Sequence, residues 1–272
     1  MVETYNREAQ GFDEFGHGLS EKSDRRLADI VEPKAGDICL DLATGTGNGA
    51  LALSGRVGHN GKVYGIDLAE GMLEFAERKA RARKVKNVEF KKMDAMHLEF
   101  EDDVFDIVTC GLALFYFPDI LGALQEMRRV LKPGGTLGIS TADPETAFSP
   151  LSKPYMESIR KAADVLQIDA PAYPEIAALT RTKDGLEKLL KEAGFTDIKV
   201  REEQIPVHFT ALDDWWSHGR GSTWGDLILD SMEEEKRDEF KDTHLSDVKR
   251  FFKRDGVKTA TPVIFATATS PD

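Results

Sequence analysis

Short apolar runs alternate along this chain with longer segments whose apolar positions recur at helical spacing. Residues 38–42, 62–67, 88–94, 106–110 and 136–141 read as strands, because apolar runs of that length bounded by turn residues are too short for helices. Helices are expected between them over 49–57, 70–84 and 119–131. Strands alternating with helices in this way dictate an α/β fold, a doubly wound and mainly parallel sheet with ligands at the carboxyl ends of its strands.

The flanks are less regular. Residues 4–32 carry Tyr5, Phe12, Phe15, Leu19, Leu27 and Ile30 at helical spacing but are interrupted by Gly11, Gly16 and Gly18, so two joined helices are expected. Residues 143–182 are broken by Pro144, Pro150, Pro154, Pro171 and Pro174, with one helix near 154–167. An amphipathic helix over 183–193 ends at Gly194, and 197–209 reads as a long sixth strand. Residues 212–255 hold Trp215, Trp216, Trp224 and a charged helix near 231–253, before a final strand at 261–269. The expected organisation is a helical cap (1–35), a core (36–142), an insertion (143–182), and a C-terminal part of the sheet (183–272) with a helical lid at about 212–255.

One stretch organises the rest. The run from Ile38 to Leu42 contains one acid, Asp41, and then breaks into Ala43-Thr44-Gly45-Thr46-Gly47 before an Ala-rich helix. Glycines suit a sharp turn against which a ligand lies closely, and a helix N-terminus offers free N–H groups. A dinucleotide and S-adenosylmethionine (SAM) both use such a loop, and Gly45, Gly47 and Ala50 also meet the loose dinucleotide pattern. The second strand ends in Asp67, 20 positions beyond Gly47, near the offset expected of a ribose-binding carboxylate. The same residue is also placed to cap the following helix.

Composition narrows the function. With 272 residues, 41% hydrophobic and 31% charged, the chain supports one large α/β domain or a domain with a small cap. No apolar run approaches the ~20 residues of a membrane span. The polar start argues against a signal peptide, and Cys39 and Cys110 inside apolar runs suggest a reducing, cytoplasmic setting. Neither a metal site nor nucleic-acid binding is expected. The formal net charge is −12, and the basic run at 78–84 reads as cations at a helix end.

Several phrases then fall in order: Asp41-Leu42-Ala43-Thr44-Gly45-Thr46-Gly47, Gly65-Ile66-Asp67, Gly71-Met72-Leu73, Asp94-Ala95, Phe105-Asp106-Ile107-Val108-Thr109-Cys110 and Arg129-Val130-Leu131-Lys132-Pro133-Gly134-Gly135. Together they resemble class I SAM-dependent methyltransferases, and most of all the group of ubiquinone- and menaquinone-biosynthesis enzymes. The resemblance covers roughly 36–142. It implies a seven-stranded sheet with an antiparallel last strand, helical cap and lid segments over the site, SAM as cofactor and a small-molecule acceptor methylated at oxygen, carbon or nitrogen, with a homodimer as an allowed assembly. By position it implies that Asp41 and Gly45 hold the methionine amino group, that Ala43 and Thr44 belong to the same cofactor-binding loop, and that Gly47 permits close backbone approach. Asp67 would bind the ribose, Leu68 and Met72 would lie against adenine, Asp94 and Ala95 would meet the adenine edge, and Cys110 and Leu112 would line the methionine end. Gly111-Leu112-Ala113-Leu114 stands where amino-methylating nucleic-acid enzymes carry Asn/Asp-Pro-Pro-aromatic.

No contiguous motif names a general base. The candidates are His17 and His218, each beside a glycine, and Tyr116 after the fourth strand; Arg220 is a candidate anion holder. The Trp residues of 212–255 could form a substrate wall or pack the lid onto the sheet. Two readings remain besides methyl transfer: a SAM-fold protein that binds the cofactor without transferring methyl, and a nicotinamide dehydrogenase.

Overall fold

A computed structural model describes residues 2–143, 146–169, 175–218 and 223–271. Pro144, Pro171, Pro174 and Arg220 lie outside the described residues. Seven strands form one sheet: β1 (Ile38–Leu42), β2 (Lys62–Asp67), β3 (Val88–Lys92), β4 (Phe105–Gly111), β5 (Leu131–Ala142), β6 (Thr196–Phe209) and β7 (Val257–Thr269), in the order β3-β2-β1-β4-β5-β7-β6. The first five pair in parallel, and β7 is antiparallel to both β5 and β6. The chain therefore reverses its winding between β1 and β4, which opens a crevice at their carboxyl ends. That crevice is where the glycine loop lies.

The strand residues alternate between two cores, as period 2 requires. Leu40 and Leu42 face the side covered by α5 (Ile120–Val130) and α7 (Lys183–Glu192). Cys39 and Ile107 face α2 (Leu19–Ile30) and α3 (Asn48–Val57). Two of these helices begin where a side chain meets a free N–H: Asp119 accepts from Gly122 and Thr182 from Gly185, the usual role of these residue types at an N-cap. The turn expected at 132–135 bulges out of β5, because Phe105 pairs with Leu131 while Ile107 pairs with Thr136.

The flanking segments fold over the crevice. The cap consists of α1 (Val2–Glu8), a 3-10 stretch at Phe12–His17 and α2. It docks on α4 (Glu70–Ala82), where the Gly71 N–H donates to Asn6 at 2.8 Å and Lys79 pairs with Asp13 at 2.7 Å. The insertion supplies α6 (Ser152–Leu166) and a 3-10 helix at Glu175–Arg181. The lid holds α8 (Leu212–His218), α9 (Thr223–Asp230) and α10 (Glu234–Val248). Trp215 is fully buried there and packs edge-on against Phe148, Tyr155 and Phe209, with its indole N–H donating to His244 Nε2 at 2.9 Å. β6 and β7 pair all the way from Thr196 to Phe209 but β5 meets β7 only over Val263–Thr269, so the lid hangs from a two-stranded arm beyond the sheet. No helix among the described residues is long and apolar enough to cross a membrane.

Candidate active site

The loop after β1 is held from below. Asp41 is buried, with Thr44 donating to one carboxylate oxygen at 2.6 Å and Thr109 to the other at 2.7 Å. Burial pushes its carboxyl up to about 6 against these bonds and one from the Ala50 backbone. A Cβ at Gly49 would overlap this carboxylate, so the first turn of the helix needs a glycine over the acid. Gly47, at φ +81°, has no room for a Cβ either: Ala76 and Phe90 stand 2.8 and 2.9 Å from where it would be. Gly45 differs. Its φ is +52° and nothing lies within 4 Å of its Cβ direction.

That open space belongs to a cavity of about 750 Å³ at the crevice. The cavity brings together Ala43, Thr44, Gly45, Asp67, Leu68, Met72, Asp94, Ala95 and Leu112. Asp41, Gly47 and Cys110 are not among its lining residues. In this structure Asp41 braces the loop, Gly47 lets α4 and β3 pack against it, and Cys110 is enclosed in the sheet. Burial raises the Cys110 thiol, with Asp41 and Asp24 adding to the effect, so it is no nucleophile.

At the end of β2 the Asp67 carboxylate accepts from the Gly45 and Ala69 backbone N–H groups, both at 2.9 Å. The bond to Ala69 is a local turn bond two residues along the chain; α4 itself starts after Ala69 without a side-chain cap. Burial still lifts this carboxyl above its ordinary range. Beside it Leu68 is 42% exposed, with Met72, Met93, Ala95 and Met96 near it on the cavity wall. An exposed leucine in a methionine-lined slot next to an acid suits a planar base joined to a ribose. These features, together with the vacant Cβ direction at Gly45, fit SAM.

The other end of the cavity is aromatic and belongs to the cap, the insertion and the lid: Phe12, Phe15, Phe115, Phe148, Tyr155 and Trp215 border it. Of the three candidate bases, Tyr116 and His218 line the cavity and His17 does not. His17 and His218 meet through Asp214, whose Oδ1 lies 2.8 Å from His17 Nε2 and 3.1 Å from His218 Nδ1. Burial works against the Asp214 charge, yet bonds from the Thr210 backbone N–H and hydroxyl, with the two imidazoles, hold it below the usual carboxylate range. Tyr116 stands edge-on to Tyr5, 6.0 Å between centroids.

Among the cavity residues that the sequence did not point to is a buried acid. Asp24 on α2 faces inward beside Gly111, with Ser20 Oγ 3.2 Å away. Its signal was present: Ser20, Asp24, Leu27 and Val31 fall on one helical face, which puts an acid into an apolar stripe.

The model of the ubiE/COQ5 methyltransferase family matches residues 16–210. A demethylmenaquinone methyltransferase from Staphylococcus saprophyticus is 36% identical over 185 residues, covering 65% of this chain and 78% of that protein. One from Geobacillus kaustophilus is 38% identical over 174 residues, covering 61% and 74%. The crystal structure of YcgJ from Bacillus subtilis superposes with a TM-score of 0.59 at 21% identity, over 92% of this chain and 99% of that one, a likeness of fold alone. The loop, the cavity and the matched span thus agree, and the chain belongs to the ubiE/COQ5 methyltransferase family, as a SAM-dependent methyltransferase of small molecules.

Proposed function

We propose that this enzyme methylates a reduced, quinol-type aromatic ring, with the acceptor in the aromatic half of the cavity and the cofactor along the edge from Gly45 to Asp94. The carrying observation is that one continuous cavity joins the glycine-loop edge to a vault of Phe and Tyr rings. The names of the relatives support the acceptor class. In this reading Asp67 takes the ribose hydroxyls with the lone pairs left by its two backbone bonds, Leu68 and Met72 flank the adenine, and Asp94 and Ala95 meet its edge. When bound, the cofactor supplies a methyl group on a sulfonium. The protein's own work is alignment and exclusion of water, which the cap and lid perform.

His218 is the group placed to take a proton from an acceptor hydroxyl. It lines the cavity and its Nδ1 lies against Asp214, which fixes the orientation of the ring. Tyr116 orients the acceptor, and His17 acts only through Asp214. Family membership supports methyl transfer over the cofactor-binding alternative and over a dehydrogenase.

The test is calorimetric titration with SAM, S-adenosylhomocysteine and NAD, followed by methyl-transfer assays on a reduced 1,4-naphthoquinol, a catechol and a primary amine. Binding of both adenosyl ligands but not NAD, with turnover of the naphthoquinol, is expected. Turnover of the amine alone would remove the quinol reading.

A further inference from the structure

We propose that Asp24, a residue of the cap, holds the α-ammonium group of the cofactor's methionine end. The proposal rests on the reading of the cavity as a SAM site. It gives the cap a direct part in cofactor binding, in the place that the family resemblance implies for Asp41.

The geometry carries it. Asp41 lies under the loop with both oxygens engaged by threonine hydroxyls, and it does not line the cavity. Asp24 does line it, at the carboxyl end of β4, where Gly111 leaves the space its carboxylate occupies: a Cβ there would overlap Oδ1. The Asp24 residue is 9% exposed. Among the described residues its one side-chain hydrogen bond comes from Ser20. The charged groups around it are Asp41 from β1, Asp13 from the 3-10 stretch of the cap and Lys79 from α4. Lys79 is already committed to Asp13 at 2.7 Å and Asn48 at 2.5 Å. An acid that borders a ligand cavity, with another acid behind it and the neighbouring lysine engaged elsewhere, is matched by a ligand cation that can donate hydrogen bonds.

The state of the carboxyl agrees. Burial, and then Asp41, push it up to about 8, so at neutral pH it is mostly protonated before the ligand arrives. An ammonium group requires the carboxylate. Binding at pH 7 therefore releases a proton, and affinity for an ammonium-bearing ligand rises with pH towards about 8 and falls again once the ligand's own amino group loses its proton.

Three adenosyl ligands separate the outcomes. SAM carries the ammonium and the sulfonium, S-adenosylhomocysteine carries the ammonium alone, and 5′-methylthioadenosine carries neither. Asp24→Asn is close to isosteric with the protonated acid, and its thermal midpoint checks the fold. The variant is expected to lose S-adenosylhomocysteine affinity by about 10- to 100-fold, the range of a charge-assisted bond, and to keep methylthioadenosine affinity. In the unaltered protein, titrations at pH 7 in buffers of different ionisation heat should show nearly one more proton released with S-adenosylhomocysteine than with methylthioadenosine. Equal loss of both ligands in Asp24→Asn, unchanged S-adenosylhomocysteine affinity, or no extra proton release would each overturn the assignment while the cofactor site stands. If the unaltered protein binds none of the three, the cofactor site itself fails and the assignment with it.

Discussion

Acidification should loosen the lid through one residue. His244 on α10 is fully buried against α8, its Nε2 accepts the Trp215 indole N–H, and Tyr155 and Trp216 lie 5.3 and 6.3 Å away between ring centroids. Burial lowers its pKa from 6.5 to about 4. The unfolded chain therefore takes up a proton on this residue at a pH where the folded chain does not. Stability from this source is complete above pH 6.5, is lost as pH falls from 6.5 towards 4, and changes no further below that. Between pH 7 and pH 5 the linkage amounts to about 2 kcal/mol. Asp24 and Asp41, whose pKa values are raised to about 8 and about 6, act in the opposite sense and gain stability on acidification. The measurement must therefore be a difference. His244→Phe retains a ring but neither titrates nor accepts, and leaving the Trp215 N–H without its acceptor should cost about 1–3 kcal/mol at pH 7. Urea unfolding followed by tryptophan fluorescence at pH 7, 6 and 5 should show the advantage of the unaltered protein over His244→Phe shrinking by about 2 kcal/mol across the series. A constant gap would refute the argument, because it would mean that His244 is not held neutral by the fold.

Other expectations can be checked on the same preparation. Asp67→Ala should weaken SAM binding by about 1.5–3 kcal/mol, the cost of a charge-assisted bond; unchanged affinity in calorimetry would leave this residue its bond to Ala69 alone. Gly45→Ala and Gly47→Ala should part company: both force a left-handed residue, at about 1–2 kcal/mol. The first should mainly abolish SAM binding, and the second should mainly lower the melting temperature, since Ala76 and Phe90 crowd it. Lys79→Met leaves Asp13 without its cation, and hydrogen exchange should show faster opening of residues 2–17 than of the sheet. Trp215→Ala should destabilise by about 3–5 kcal/mol as a core deletion, whereas Trp216→Ala, which removes a half-buried ring packed on Phe240 and His244 outside the cavity, should lower the melting temperature by less and leave acceptor turnover near that of the unaltered protein.

The parallel half of the sheet was legible because its signals are local. A buried strand is a short apolar run, its turn is glycine, and the acids at the ends of β1, β2 and β3 mark the crevice. Those signals do not say which way a side chain points. Asp41 and Gly47 sit in the motif as expected, yet Asp41 is turned beneath the loop by two threonines, and Thr109 is far along the chain. Asp24 was hidden for the converse reason, since its role depends on a missing side chain at Gly111. The lid was legible as helical segments but not as packing: the hydrogen bond from Trp215 to His244 joins an aromatic pair to a helix that reads as a solvated charged face. The His17–Asp214–His218 contact likewise needs the cap and the lid folded against each other before any spacing becomes visible.

The place of β7 between β5 and β6 bears on how the chain can be made. On a ribosome β5 and β6 emerge well before β7, with residues 210–256 in between, and in the finished sheet they do not touch each other. Until β7 inserts, β5 shows a bare hydrogen-bonding edge and β6 has no partner at all. Nascent chains in that state are templates for one another. Lys199, Arg201, Glu202, Glu203 and Pro206 along β6 are the residue types that discourage such pairing. Glu203 is held by Arg26 in the folded protein, so the informative change is at Lys199 and Glu202: neutralising both should lower the yield of soluble chains while the melting temperature of the purified enzyme holds.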